Sequence, residues 1–270
     1  MLPRITTIIP AYNQEMYIDA AIASAVKQIG PFDHEILVSS DGSTDKTRDA
    51  IRRWQFRYPG LLRDVSPEEN LGISGNFRRL FSMSTGAFIA VLEGDDIWTD
   101  SEKLAKQLHV ALETQNCALV FSKILVRKLP SGDESLLPRQ QGLPSMLSGY
   151  DFIKDPSMNL IANFSSCLFN GDLIRSAPDR LFEGRFNEIA LAFHLEQFGK
   201  ICFLDEVLSV YHQHAQGVWT GSTREQQLRS GIETREMVLD VAHPKYRGDI
   251  IKIIEERYRK PLMELLGELA

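Results

Sequence analysis

The stretch Ile5-Thr6-Thr7-Ile8-Ile9-Pro10-Ala11-Tyr12-Asn13 decides how this chain is read. Residues 5–9 form a short β-branched run, and an amphipathic segment, 16–28, follows after a few polar residues. A run of this kind fits a strand buried on both faces. In the segment after it, Ile18, Ala21, Ile22, Ala25 and Val26 recur at helical spacing and give one apolar face. The unit then repeats: residues 35–39, 61–65 and 88–92 read as buried strands, and 44–58 and 74–84 as helices. The alternation implies right-handed crossovers and an α/β fold, a mostly parallel sheet flanked by helices. Ligands of such sheets bind beyond the carboxyl ends of the strands. The polar clusters fall there: Ala11-Tyr12-Asn13 after the first strand, Ser40-Asp41-Gly42-Ser43 after the second, Glu93-Gly94-Asp95-Asp96 after the fourth.

The second half is less regular. A helix is expected over 103–115, a strand over 118–126 and a long Pro/Ser/Gly-rich loop over 129–147, of a length associated with mobility or acceptor binding. Residues 151–163 carry no clear signal. A strand at 165–169, a helix at 188–198 and a strand pair, 201–204 with 207–211 around Asp205-Glu206, complete the domain. Residues 223–241 and 249–266 read as helices separated by His243-Pro244. The expected division is a domain over 1–222, split into a nucleotide-binding half (1–115) and an acceptor or catalytic half (116–222), with a helical C-terminal extension over 223–270.

Composition narrows the function. A net charge of −6 argues against a nucleic-acid surface, which needs a clustered basic face. Cys117, Cys167 and Cys202 are widely spaced and form no Cys-x-x-Cys pair, so they read as small buried residues in a reducing cytoplasm and not as zinc ligands. No secretory signal opens the chain, and no apolar stretch approaches the ~18 residues of a membrane span. The expected setting is cytoplasmic, soluble or peripheral at the inner face of a membrane. Neither Gly-x-Gly-x-x-Gly after the first strand nor Gly-x-x-x-x-Gly-Lys-Ser/Thr is present, which removes a dinucleotide oxidoreductase and a P-loop.

A phosphorylated ligand would therefore be held through carboxylates and a metal. Three acids in Glu93-Gly94-Asp95-Asp96 repel one another unless a cation or donors sit between them. A hard ion such as Mg²⁺ or Mn²⁺ takes one or two carboxylates and fills its shell with diphosphate oxygens. Taken alone, the cluster fits a solvated turn or a helix cap equally well, since Asp100 or Ser101 reads as the cap of the next helix. In Asp41-Gly42-Ser43-Thr44-Asp45, Ser43 or Thr44 reads as a helix cap and Gly42 as the turn. That leaves Asp41 with no structural task, and a carboxylate at a strand end can accept a base N–H or a ribose hydroxyl.

Four segments together resemble a family 2 glycosyltransferase of the GT-A fold: Ile8-Ile9-Pro10-Ala11-Tyr12-Asn13, Ser40-Asp41-Gly42-Ser43-Thr44-Asp45, Asn70-Leu71-Gly72 with Asn76, and Leu92 through Asp100. They arrive in the family's order and spacing over the first ~110 residues. The likeness continues more loosely at Gly199-Lys200, Asp205-Glu206-Val207-Leu208, Tyr211-His212-Gln213-His214 and Gly217-Val218-Trp219.

The resemblance implies that Pro10, Ala11 and Tyr12 line a base pocket read by Asp41, with Asn13, Asn70, Gly72, Asn76, Glu93 and Gly94 also on the nucleotide side. Glu93-x-Asp95 stands at the family's Asp-x-Asp motif, so Asp95 would ligate Mn²⁺ or Mg²⁺, Glu93 face the ribose or donor sugar, and Asp96 position the donor sugar. His214 matches a position that holds metal or diphosphate in some relatives; His212 stands where the family more often has arginine. Counting back from Gly199-Lys200 places Glu188 where the family has its catalytic base, against the plainer reading of a first-turn acid favoured by the helix dipole. Trp98 and Trp219 read as packing residues near the site, Trp219 with the option of stacking on a sugar.

The implied activity is inverting transfer from a nucleotide diphosphate sugar, UDP before dTDP or GDP, to a hydroxyl on a glycan or lipid-linked acceptor, as in bacterial-type surface polysaccharide or glycoconjugate assembly. The Gln-x-x-Arg-Trp motif of the processive synthases is missing, which favours single-sugar transfer. Two departures stand out: Ser40 replaces a usual aspartate, and Glu93 the first aspartate of Asp-x-Asp. They lend their support to a non-catalytic nucleotide-sugar-binding protein as the alternative; a sugar-1-phosphate nucleotidyltransferase lacks its Gly-rich N-terminal signature here. In the tail, Ile250, Ile251, Ile254, Tyr258, Leu262, Leu265 and Leu266 form a near-helical stripe interleaved with Lys252, Arg257, Arg259 and Lys260. Packing on the domain or a homodimer is the first expectation for it, and contact with an anionic membrane the second.

Overall fold

The computed structural model describes residues 1–214 and 222–267. The expected alternation is present as β1 (Arg4–Ala11), α1 (Ile18–Val26), β2 (Asp33–Ser40), α2 (Thr47–Arg57), β3 (Leu62–Asp64), α3 (Gly72–Met83) and β4 (Phe88–Val91). These strands lie in the order β3-β2-β1-β4, all parallel. Then follow β5 (Ile97–Trp98), α4 (Lys103–Glu113), β6 (Cys117–Lys128), β7 (Glu134–Leu137), β8 (Met146–Leu147), α5 (Gly149–Lys154), β9 (Cys167–Asn170), α6 (Gly171–Arg175), α7 (Glu188–Leu195) and β10 (Lys200–Gln213). Strand β9 runs antiparallel between β4 and β6, and β6 and β10 are again parallel.

Both faces of the sheet are covered, which is why its strands read as continuous apolar runs. Along β1, Ile5 and Ile9 point to one side, where they meet Ile18, Ile22, Leu104 and Leu108 of the helices. Ile8 points to the other, into a core that includes Phe77, Phe81, Leu119 and Phe193. The alternation of neighbouring side chains across a strand accounts for the split.

The second half departs from expectation in several places, each for a physical reason. The strand pair around Asp205-Glu206 is one strand, β10: its parallel partner β6 runs on unbroken, and pairing passes from Leu204–Ser122 to Val207–Lys123, leaving Asp205 and Glu206 as a bulge. The long loop over 129–147 contains β7, which pairs with the later, turn-side residues of β6, and β8, which pairs with the first residues of β10. In the unread segment, α5 begins at a capping box of Ser148 and Asp151, a Ser-x-x-Asp signal that the sequence does carry. The cap expected from Ser43 or Thr44 is also displaced. Helix α2 starts after Lys46, and Asp45 Oδ1 accepts from the Thr47 N–H at 2.9 Å. Before α4, Asp100 Oδ1 accepts from the Glu102 N–H at 2.7 Å.

The C-terminal helices are α8 (Arg224–Val241), α9 (Arg247–Ile254) and α10 (Lys260–Leu266). Thr223 and Gln226 cap α8 reciprocally. The single helix expected over 249–266 is broken by a π-helical turn at Glu255–Arg259. Pro261 has no N–H for the carbonyl four residues back and its ring crowds that carbonyl, so the turn before it widens. The apolar stripe divides accordingly: Ile250, Ile254 and Leu262 are buried, whereas Ile251, Leu265 and Leu266 are exposed. Val238, Val241, Ile250 and Ile254 lie in the same apolar core as Phe193 and Leu191 of α7. Among the described residues no helix is long and apolar enough to cross a membrane.

One core position is costly. Lys103, at the start of α4, is fully buried; its Nζ donates to Gln107 Oε1 at 2.6 Å and lies 4.4 Å from the centre of the Trp98 ring. Burial pulls its amine down to about 7. The native value lies below the unfolded ~10.4, so the native state binds fewer protons than the unfolded chain from about pH 7 to pH 10. Stability should therefore rise with pH across that window, by up to ~1.4 kcal/mol per pH unit. Urea unfolding at several pH values should show this rise in the wild type and its loss in Lys103→Met; parallel curves for the two proteins would refute it.

Candidate functional site

The carboxyl ends of β1, β2 and β4 lie side by side, and their loops are tied into one rim. Ala11 O accepts from the Asp41 N–H at 2.8 Å, and Pro10 O accepts from the Gly94 N–H at 3.1 Å. Gly94 is needed for that approach: a Cβ there would stand 3.0 Å from Ala11 Cβ and 3.1 Å from Pro10 O. Asn13, at φ 50°, stitches the first two loops together. Its N–H donates to Ser43 Oγ at 3.0 Å, and its side-chain oxygen accepts from the Thr44 N–H at 2.8 Å. Tyr12 stands exposed on this rim.

Asp41 does have a structural task, contrary to expectation. Its Oδ1 accepts from the Leu71 N–H at 2.8 Å, while Asn70 Nδ2 donates to the Asp41 carbonyl at 2.8 Å. Asn70 Oδ1 in turn accepts from the Gly72 N–H at 2.8 Å, so Asp41 and Asn70 shape the entry to α3. Burial raises the Asp41 carboxyl above its ordinary range, against the pull of the Leu71 and Gly72 N–H donors. Asn76 is buried on α3 and accepts from Ser39 Oγ at 2.6 Å, a brace between helix and sheet. Ser40, where an aspartate was expected, is buried too, with its N–H on Ser66 Oγ and its hydroxyl on Ser43 Oγ.

The acidic loop is built more elaborately than its sequence discloses. Oxygens of Glu93, Asp95 and Asp96 lie within 4.8 Å of one another, a donor set that suits a hard divalent cation. Ser165 is its anchor: its Oγ accepts from the Glu93 N–H at 2.9 Å and donates to Asp96 Oδ2 at 2.6 Å. The Asp96 Oδ1 accepts from the His212 N–H at 3.1 Å. Both Asp96 oxygens are thus engaged by the protein, whereas Asp95 faces the pocket with its Oδ2 2.9 Å from His214 Nε2. The ring of His212 donates through Nδ1 to the Asp95 carbonyl at 2.7 Å, so the two histidines hold different parts of one residue. Tyr17 stacks on the His214 ring at 4.9 Å. Burial, then the charges of its neighbours, raises the Glu93 and Asp96 carboxyls well above their usual range. A cation would relieve that repulsion.

Glu188 approaches the acidic loop from the second half of the chain. It opens α7, whose cap Asn187 accepts from the Ala190 N–H at 2.8 Å. The preceding Phe186 is fixed between Phe164 and Phe182, with ring centres 5.0 and 4.8 Å away, and its N–H donates to Ser74 Oγ of α3. The Glu188 Oε1 accepts from Asn159 Nδ2 at 2.9 Å. Burial raises its carboxyl, with Asn159, Arg185 and Arg235 working in the opposite direction. Its charge is felt at Glu93, and the phenol of Tyr211 is raised by burial and by all four acids. Glu188 lies 95 positions after Glu93 in the chain, and the fold brings its charge to bear there.

Residues 6–156 match the family model for glycosyl transferase family 2. The chain belongs to that family. Among relatives, it is 26% identical over 190 residues to the GalNAc(5)-diNAcBac-PP-undecaprenol beta-1,3-glucosyltransferase of Campylobacter jejuni, over 69% of this chain and 56% of that protein. Its fold is that of GT-A glycosyltransferases. Staphylococcus aureus TarS in complex with UDP-GlcNAc superposes with a TM-score of 0.66 at 18% identity, over 94% of this chain and 71% of that one. A mannosyltransferase from Pyrobaculum calidifontis in complex with GDP-Man and Mn²⁺ gives 0.68 at 18% identity, over 97% and 72%.

Ser165, Asn159 and Tyr17 touch the candidate residues Asp96, Glu188 and His214 yet carry no recognisable signature in the sequence. Gly217, Val218 and Trp219, expected near it, lie outside the described residues. The structural task of Asp41 has a measurable consequence. Asp41→Ala should cost ~1–3 kcal/mol in urea unfolding because the Leu71 N–H loses its acceptor. Asp41→Asn keeps an oxygen in place and should cost much less; equal losses would mean that the carboxylate charge, and not the hydrogen bond, holds the loop.

Proposed function

We propose that this glycosyltransferase is an inverting, metal-dependent enzyme that moves a sugar from a nucleotide diphosphate donor, a UDP-sugar by preference, to a hydroxyl acceptor. The observation that carries the reading is the cluster of Glu93, Asp95 and Asp96 beyond the carboxyl end of β4, with the Glu188 carboxyl near enough for its charge to be felt at Glu93. Tyr12, Asn13 and the loops at Asp41, Asn70 and Gly72 offer a rim for the nucleotide. Asp95, with His214 beside it, would hold Mn²⁺ or Mg²⁺, and Asp96 is held rigid by Ser165 and His212 to position the donor sugar. The ion, when bound, supplies positive charge to the departing diphosphate. The Mn²⁺ and GDP-Man of the Pyrobaculum enzyme and the UDP-GlcNAc of TarS support a site of this chemistry.

Glu188 is the base in this reading. An acceptor hydroxyl is a poor nucleophile at neutral pH and needs a carboxylate within hydrogen-bond reach. Asp95 is unsuited because a bound cation lowers its basicity. A raised Glu188 carboxyl is a better proton acceptor, and the Asn159 amide fixes its Oε1. The undecaprenol-linked substrate in the name of the Campylobacter relative supports a lipid-linked acceptor and a place in surface glycan assembly.

Two measurements test this. UDP should raise the melting temperature more with Mn²⁺ than with EDTA, and Asp95→Ala should erase the difference, since a ligand of the native state alone stabilises it; equal shifts with and without metal would count against the site. With a panel of UDP-, dTDP- and GDP-sugars to find the donor, Glu188→Gln should leave metal-dependent UDP binding intact while turnover falls ~10²- to 10⁴-fold. Wild-type turnover in that variant would move the base elsewhere, and a donor panel without any turnover would favour a non-catalytic binding protein.

A further inference from the structure

The segment that presents Asn159 to Glu188 is gripped by the C-terminal helices. Residues 155–159 form a tight turn around Asp155, whose Oδ1 accepts from the Ser157 N–H at 2.8 Å and the Asn159 N–H at 3.3 Å. Met158, inside this turn, has φ 53°, and Ala162, just beyond it, has φ 67°, backbone conformations that L side chains rarely adopt. Non-glycine residues hold such angles only where the surroundings impose them. Two arginines of the extension take part in holding the turn, beside the bonds within it. Arg257 Nη1 donates to the Asp155 and Pro156 carbonyls at 3.1 and 2.8 Å. Arg235 Nη2 donates to the Ser157 carbonyl.

Both arginines are themselves fixed by the π-helical turn. Arg235 is buried on α8, with its guanidinium stacked 4.6 Å from the centre of the Tyr258 ring. Tyr258 fits against Gly231, where an added Cβ would stand 2.2 Å from the ring. A regular helix through this stretch would turn Arg257 and Tyr258 to other directions; the wide turn aims one at the 155–156 carbonyls and the other under Arg235.

From this chain of contacts we infer that Arg235 and Arg257 are positioning residues for catalysis: through the 155–159 turn and Asn159, the C-terminal extension sets the orientation of Glu188. This inference rests on Glu188 being the base. The extension is thereby part of the acceptor side of the active site, joined to it by hydrogen bonds as well as by the shared core.

The test uses the full chain and the nucleotide sugar that turns over fastest in the donor panel, with Mn²⁺ present. Arg257 is exposed and can be replaced without opening the core. In Arg257→Gln, hydrogen–deuterium exchange at residues 155–163 should accelerate. Its kcat for donor turnover should fall roughly 10- to 100-fold, with donor KM and the Mn²⁺–UDP melting shift within about twofold of wild type. Arg257→Lys should recover part of the rate, and Asn159→Ala should reproduce the kcat loss without the donor KM changing. Gly231→Ala, which displaces Tyr258, should act in the same direction as Arg257→Gln. Unchanged exchange in 155–163, or unchanged kcat in Arg257→Gln alongside an inactive Glu188→Gln, overturns the positioning role and leaves the base assignment standing. Wild-type kcat in Glu188→Gln overturns the base assignment itself, and the positioning role falls with it.

Discussion

Glu93, Asp95 and Asp96 crowd like charge into one loop, with the charge of Glu188 felt at Glu93, and the surrounding structure is arranged around keeping them there. Carboxylates removed from water and placed beside one another drift toward their neutral forms unless donors or cations compensate. The compensation is specific at each position. Asp96 receives a hydroxyl and a backbone N–H, Asp95 a histidine, Glu188 an amide and the fields of two arginines. The compensation is also incomplete, since Glu93 and Asp96 stay strongly raised. A pocket left electrostatically unsatisfied in this way is one that a divalent cation and its diphosphate can complete.

Placing those groups demands elements from both halves of the chain. The parallel strands β1, β2 and β4 end together and deliver the loops of the rim, as crossover topology requires. Strand β10 enters from the other half, and its bulge at Asp205-Glu206 resets the register before Tyr211, His212 and His214 arrive over the acidic loop. Ser165, from the turn before β9, holds the acidic loop at Glu93 and Asp96, and Asp96 in turn takes the His212 N–H of β10. Glu188 is brought in by packing instead: the aromatic rings of Phe164, Phe182 and Phe186 and the cap Asn187 fix where α7 starts. Stacked rings of this kind define a position with little freedom left to the backbone between them. The C-terminal helices then bury their apolar side in the same core.

The division between what was legible and what was not follows the range of the forces involved. Strand and helix periodicity, the turn residues and the order of the acidic and polar clusters are local properties. They sufficed for the α/β frame and for β1 through β4 and α4, and by resemblance they named Glu93, Asp95, Asp96, His214 and Glu188 as candidates. Local signals misled where a partner far away in sequence decides the outcome. Asp205-Glu206 looks like a hairpin turn until β6 is seen to run past it. Asp41 looks idle until Leu71 is found above its carboxylate, and Asn76 looks available until Ser39 claims it.

The sequence by itself determined that this chain folds as alternating strands and helices with carboxylates clustered at the strand ends, because hydrophobic period and turn chemistry act between residues a few positions apart. Only the tertiary structure decided which of those carboxylates face the pocket and what restrains each. Ser165 on Asp96, His214 on Asp95 and Asn159 on Glu188 join residues 29 to 119 positions apart. Hydrogen bonds of that span exist only after the core has closed and brought their partners within 3 Å.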